Sequence, residues 1–175
     1  MKVISEISKR MDKVMIKLNE VLRKKGIKTI MLKNEDDIRS FLLKNIPSDS
    51  LVGMDDSVMQ NTPGIHDTLR KIGAKIYYSF DGSQDYNRTI DTFEEHPAPE
   101  YYLFSDSILT SEEDLDKQLH ISENAWKNNK HPKHIIAFTA LKNFASKFED
   151  SLTKLRNNVI DAMPPGTDVT IAVLE

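Results

Sequence analysis

The sequence contains no cysteine. That excludes disulfides, thiol catalysis and cysteine-ligated zinc or iron–sulfur clusters within this chain. No apolar run reaches the roughly 18 residues needed to span a bilayer. The opening stretch Met1-Lys2-Val3-Ile4-Ser5-Glu6 lacks the apolar core of a signal peptide. A cytoplasmic location without a membrane partner is therefore expected. Positive charge is not in excess either. The formal net charge is -3 over 175 residues, which gives no case for nucleic acid as a partner. There is no Gly-x-Gly-x-x-Gly and no Walker loop, so the usual dinucleotide and nucleoside-triphosphate folds are disfavoured. There is no Gly-x-Ser-x-Gly elbow, which argues against a nucleophilic serine. The single tryptophan, Trp126, reads as packing against the sheet edge.

What is present is an alternation of amphipathic and apolar stretches. Residues 3 to 25 read as one long helix, with Ile4, Ile7, Met11, Val14, Leu18 and Val21 at steps of three and four. Gly26 is a natural stop for it, and Arg23, Lys24 and Lys25 suit the negative end of its dipole. Residues 1–28 carry nine Lys/Arg against three Asp/Glu, read here as a solvated face opposite the stripe. The stripe is placed to cover the sheet or to seal a homodimer.

Ile27 to Leu32 reads as a strand. Asn34, with Asp37 three residues on, has capping-box spacing for a second helix. Ile38, Phe41, Leu42 and Ile46 would be its buried stripe, and Pro47 its stop. Leu51–Met54 is a short strand. Thr62-Pro63 is an N-cap and N1 pair for a helix ending at Gly73. Ala74–Phe80, Tyr101–Phe104, His134–Phe138 and Val169–Leu174 are further strands. Helices are expected around 84–95, from Ser111 to about Leu119, and after Phe138, the last with Phe144, Phe148, Leu152, Leu155 and Val159 on one face. This alternation predicts one α/β domain over residues 1–175, with a mostly parallel sheet in a three-layer α/β/α arrangement. Residues 1–26 would pack on or beside it.

The stretch that draws attention is the end of the Leu51–Met54 strand. Ligands in open parallel sheets bind in the crevice beyond the carboxyl ends of the strands. Gly53 would let a backbone come close to a partner. Asp55, Asp56 and Ser57 would present oxygens and N–H groups there, although one of the three could equally serve only as a helix cap. Two adjacent acids also argue against a bare phosphate pocket, because their charges repel an anion. Ser105, Asp106 and Ser107 end another strand and could face the same crevice. His131 and His134 flank Pro132-Lys133 at the opposite end and read as surface residues, and His120 is the histidine worth testing. No cofactor and no tightly bound metal are expected, since no cysteine and no convincing histidine pair is present. A weakly held Mg²⁺ at Asp55 and Asp56 is compatible with oxygen ligands.

The order of these motifs resembles the LUD domain, the lactate-utilisation protein family. The matching residues are Val52-Gly53, Asp56-Ser57, Gly64-Ile65, the run from Tyr102 to Thr110, Pro132-Lys133-His134-Ile135-Ile136, and Ser151 to Arg156. Two departures stand out. The region Ser111 to Lys127 has no glycine and no arginine where the family carries a Gly-Asn-Arg stretch. The family's Gly-x-Asn-Lys appears as Ala140-Leu141-Lys142-Asn143, with the polar pair reversed. The resemblance implies a fold like that of the sugar-isomerase, CoA-transferase and formyltetrahydrofolate cyclo-ligase group. It implies a role in oxidising L-lactate or a related organic acid, beside iron–sulfur partner subunits. Gly53, Asp55, Asp56, Ser57, Ser105, Ser107 and Asn143 are the expected ligand-binding residues for a small organic acid. Two rival expectations stand beside this one. The chain is a stand-alone enzyme of that fold group with Asp55 or Asp56 as acid/base, or a non-catalytic assembly module.

Overall fold

The run His134–Ala140 is apolar almost throughout, and its five inner residues are all buried. A strand buried on both faces reads as a continuous hydrophobic run, and its place is the middle of a parallel sheet. The structure is a computed structural model that describes residues 2–54, 58, 62, 64–78, 99–105, 132–155 and 166–175. In it this segment is β5, third of six strands. The others are β1 (Lys28–Leu32), β2 (Leu51–Met54), β3 (Lys75–Tyr78), β4 (Tyr101–Ser105) and β6 (Asp168–Leu174). They form one sheet in the order β1-β6-β5-β4-β2-β3, and every neighbouring pair is parallel.

Five elements among the described residues are helices. They are α1 (Lys2–Arg23), α2 (Glu35–Asn45), α3 (Ile65–Ile72), α4 (Leu141–Ser146) and α5 (Phe148–Leu155), with Gly26 turning the chain out of α1 at φ +74°. From β1 through α2 to β2, and through α3 to β3, the chain moves toward one edge. From β5 through α4 and α5 to β6 it moves the other way. Right-handed crossovers therefore put α2 and α3 on one face and α4 and α5 on the other. α2 packs against α3, and α1 packs against α4 and β1, completing the second helical layer. The expectation of an α/β fold with a parallel sheet is met, and the sheet is wholly parallel.

Local chemistry explains most boundaries. The Asn34 side chain accepts from the Asp37 N–H at 2.9 Å, as a helix cap should. The reciprocal bond of a capping box is shifted by one residue, since Asp37 Oδ2 accepts from the Lys33 N–H at 2.9 Å. Phe41, Leu42 and Ile46 are buried in the core as their spacing predicts.

Three expectations need correction. The Thr62-Pro63 start does not cap α3, which begins at Ile65 behind Gly64 at φ +81°, with no side-chain cap bond. The single helix expected after Phe138 is two, broken at Lys147, whose φ of -142° and ψ of 68° lie outside the helical region. The stripe keeps its period across the break, which hid it, and Phe144 and Phe148 still meet edge to face at 6.0 Å. In α1 the buried contacts are Leu18 and Leu22, with Met11, Val14 and Met15 beside them, whereas Ile7 is exposed. Residues 6–10 are all exposed, so that part of the stripe covers nothing in the described residues. Arg10 reaches α4 instead, donating to the Ala145 carbonyl at 3.0 Å. That carbonyl belongs to the last turn of α4, which has no helical donor of its own. The expected strands at 79–80 and helices at 84–95 and 111–119 lie outside the described residues, as do Trp126, His120 and Val159.

Candidate functional site

The strand order sets the site. Leaving out the edge strand β1, the order β3-β2-β4-β5-β6 is the doubly wound 2-1-3-4-5 arrangement. From β2 the chain goes to β3 on one side, and from β4 it proceeds to β5 on the other. The carboxyl ends of β2 and β4 thus flank the point where the order diverges, which is where such sheets open a crevice. Register puts Gly53 beside Tyr102 and Met54 beside Leu103. On the other side of β4, Ser105 lies beside Phe138 of β5.

Each described residue of the expected site has a definite surrounding. A Cβ on Gly53 would lie 2.8 Å from Tyr102 Cδ2 and 3.1 Å from Pro99 Cγ. The space that glycine leaves is therefore filled by the chain's own Tyr102 and Pro99. Ser105 is fully buried and is not without a partner. Asn143 is half-buried in α4, and its carbonyl accepts from Ser151 Oγ at 2.7 Å, tying α4 to α5. Gly53, Ser105 and Asn143 thus belong to β2, to β4 and to the helix leaving β5, three neighbours at one end of the sheet. Asp55, Asp56, Ser57 and Ser107 lie outside the described residues.

One residue read from sequence only as a helix cap stands out in the structure. Thr62, in the connection between β2 and α3, is 1% exposed, and its hydroxyl has no hydrogen-bond partner among the described residues. Leaving a buried hydroxyl unsatisfied costs on the order of 1–3 kcal/mol. Its N–H donates to the Val58 carbonyl at 2.8 Å, and its carbonyl accepts from the Ile65 N–H at 3.4 Å. The main chain of Thr62 is thus held while its side chain is not. Thr-Pro reads as a cap from sequence, and only burial separates the two roles.

The opposite end of the sheet carries a row of polar rings and charges. Tyr101, His134 and Asp168 are side by side on β4, β5 and β6. The Tyr101 and His134 rings stack at 4.7 Å. Asp168 Oδ2 lies 3.5 Å from His134 Nδ1 and accepts from Lys28 Nζ at 3.1 Å. Burial, and after it the carboxylates of Glu100 and Asp168, push the Tyr101 phenol above its ordinary value. It therefore stays protonated at neutral pH and is no base. His134 is partly exposed, in line with its reading as a surface residue.

A third feature lies along the sheet edge. An open groove of ≈ 620 Å³ runs beside β1, with Ile30 and Leu32 as its floor and Ser40, Phe41, Lys44 and Asn45 of α2 as its wall. No group of three or more His, Asp or Glu residues able to hold a metal occurs among the described residues. Among the same residues no helix is long and apolar enough to cross a membrane. Neither a scan against protein-family models nor a search among curated proteins finds a match to this chain.

Proposed function

We propose that this chain binds a small polar metabolite, an organic acid such as L-lactate, in the crevice at the carboxyl ends of β2 and β4. In this reading it is a divergent LUD-domain protein of the cytoplasm. It serves as an accessory or binding subunit of organic-acid oxidation, with iron–sulfur clusters on separate partner chains. The observation that carries the binding site is the divergence of strand order between β2 and β4. Two facts support it. The β2–α3 connection holds a buried hydroxyl, that of Thr62, with no partner among the described residues. The chain itself has no cysteine with which to ligate a cluster.

In this reading Asp56 receives the hydroxyl of the acid, and a neighbouring N–H or hydroxyl receives its carboxylate. The test is calorimetric titration of the wild-type chain and of Asp56→Ala with L-lactate, pyruvate, an acyl-CoA and a reduced folate. Losing a hydrogen bond to a charged group weakens binding by roughly 1.5–3 kcal/mol. Losing a cap lowers stability by about 0.5–2 kcal/mol and leaves affinity alone. Weaker binding of L-lactate by Asp56→Ala supports the reading. Lowered stability with unchanged affinity for all four reduces Asp56 to a cap and removes the site.

A further inference from the structure

We infer that the outer edge of β1 is a docking site for an extended, acidic segment of a partner protein, which adds to the sheet as a seventh strand. Among the described residues β1 is an end strand of the sheet, with β6 as its one neighbour. The Leu32 carbonyl accepts from the Glu175 N–H on the β6 side at 3.1 Å. In a parallel ladder alternate residues turn their main-chain groups to opposite sides. Lys28, Ile30 and Leu32 therefore bond toward β6, and the N–H and C=O groups of Thr29 and Met31 face outward. Such a row is a template for another strand.

The groove beside it supplies the rest of a recognition site. It follows β1 along its whole length and is open rather than enclosed, which suits an extended chain. Its apolar floor at Ile30 and Leu32 and the ring of Phe41 would take every second side chain of an added strand. The wall residues Ser40, Phe41, Lys44 and Asn45 are spaced to lie on one face of α2, opposite Leu42, which is buried in the core.

Charge selects the occupant. Lys28, Lys33 and Lys44 border the groove against one acid, Asp37. Asp37 already accepts from the Lys33 main chain, and Lys28 is paired with Asp168. Lys33 and Lys44 have no ion-pair partner among the described residues. A second copy of this chain, docked edge to edge, would bring the same lysines of both copies together. An acidic strand would instead meet them with opposite charge.

The experiment uses the 175-residue chain and a fluorescein-labelled decapeptide of alternating Val and Glu, followed by anisotropy at low salt. This peptide should bind at least tenfold more tightly than its Val–Lys counterpart. The double variant Lys33→Glu/Lys44→Glu should weaken it at least tenfold with an unchanged circular dichroism spectrum. Two further peptides, N-methylated at the odd or at the even residues, are titrated into the unaltered chain, so that arm does not depend on any variant folding. One of the two should lose binding at least tenfold and the other keep it, because only one set of N–H groups faces β1. Equal binding of the Val–Glu and Val–Lys peptides, or no binding, overturns the inference. So does indifference to both patterns of methylation together with displacement by decanoate, which would make the groove a site for small amphipathic anions. Sedimentation showing that the chain dimerises and that Met31→Pro, which removes one outward N–H of β1, splits the dimer would assign the edge to a second copy and overturn the inference.

Discussion

At the amino end of the sheet, Tyr101, His134 and Asp168 lie side by side, each with a partner and each partly exposed. At the carboxyl end three polar side chains among the described residues are small and buried: Ser105 and Thr139 are closed off from solvent, and so is Thr62, whose hydroxyl has no partner among those residues. The same strands thus end in two different chemistries. Exposed pairs contribute little, with measured values near 0–1 kcal/mol, because water screens them and long side chains lose freedom. A buried hydroxyl is a larger liability, since the interior offers nothing in place of water. The amino end fastens strand to strand at low cost. The carboxyl end keeps a group whose presence folding alone does not explain, and that is the end where doubly wound sheets bind ligands.

Four measurements test this difference between the two ends. The largest effect is expected from Phe138→Ala. Phe138 is fully buried beside Ser105, and removing a buried aromatic side chain costs about 3–5 kcal/mol. Urea denaturation should show it, and a loss below about 1 kcal/mol would mean that the carboxyl end is loosely packed. Gly53→Ala comes next. The new methyl would press on Tyr102 and Pro99, and overpacking of this kind costs about 1–3 kcal/mol. Adding Tyr102→Leu should recover part of the loss; no recovery would place the strain elsewhere.

Thr62→Val has the opposite sign. It removes the unpaired hydroxyl at nearly constant shape, so stability should rise by about 1 kcal/mol. A fall of similar size would show that the hydroxyl is satisfied in solution. The smallest effect belongs to the amino end and appears only in alkali. The Tyr101 phenol is raised above 10.0, by burial first and then by Glu100 and Asp168. The folded chain holds this proton more tightly than the unfolded chain. That stabilisation is complete below pH 10 and is lost as pH climbs through the folded value. Wild type should therefore lose stability with rising alkalinity more steeply than Tyr101→Phe. Parallel slopes in urea midpoints from about pH 8 to about pH 11 would show no such linkage.

The strands were legible because burial on both faces writes itself as uninterrupted apolar runs, such as Ile135-Ile136-Ala137-Phe138. Leu51–Met54 has the bounds expected of it, β5 runs two residues further at its carboxyl end and β6 begins one residue earlier. What could not be read is whatever depends on a neighbour distant in sequence. Gly53 invites a ligand when seen alone, and only the β2–β4 register shows Tyr102 in the space it leaves. Thr62 followed by proline satisfies a local capping rule, which the burial of its hydroxyl overrides. The break at Lys147 is hidden for a related reason. The Phe144, Phe148, Leu152 and Leu155 stripe reports which side faces the core, and two short helices in line present the same side as one. The polar row at the amino end needs the register of three strands, which no single stretch contains. At the candidate crevice, sequence linked the ends of β2 and β4 as one expected site, and the strand order that makes these two strands neighbours in space came from the fold.

The pairing of β1 with β6 also has a consequence in time. Lys28 meets Asp168 across 140 residues of chain. Closing a loop that long costs roughly 4 kcal/mol in its length-dependent part alone. As a ribosome releases the chain, β1 emerges before β6, its neighbour in the sheet. That strand therefore waits for its native partner while the 140 residues between Lys28 and Asp168 are made. A topology of such distant contacts folds slowly, so this chain is exposed to aggregation, and to whatever chaperone shields it, mainly through its first strand.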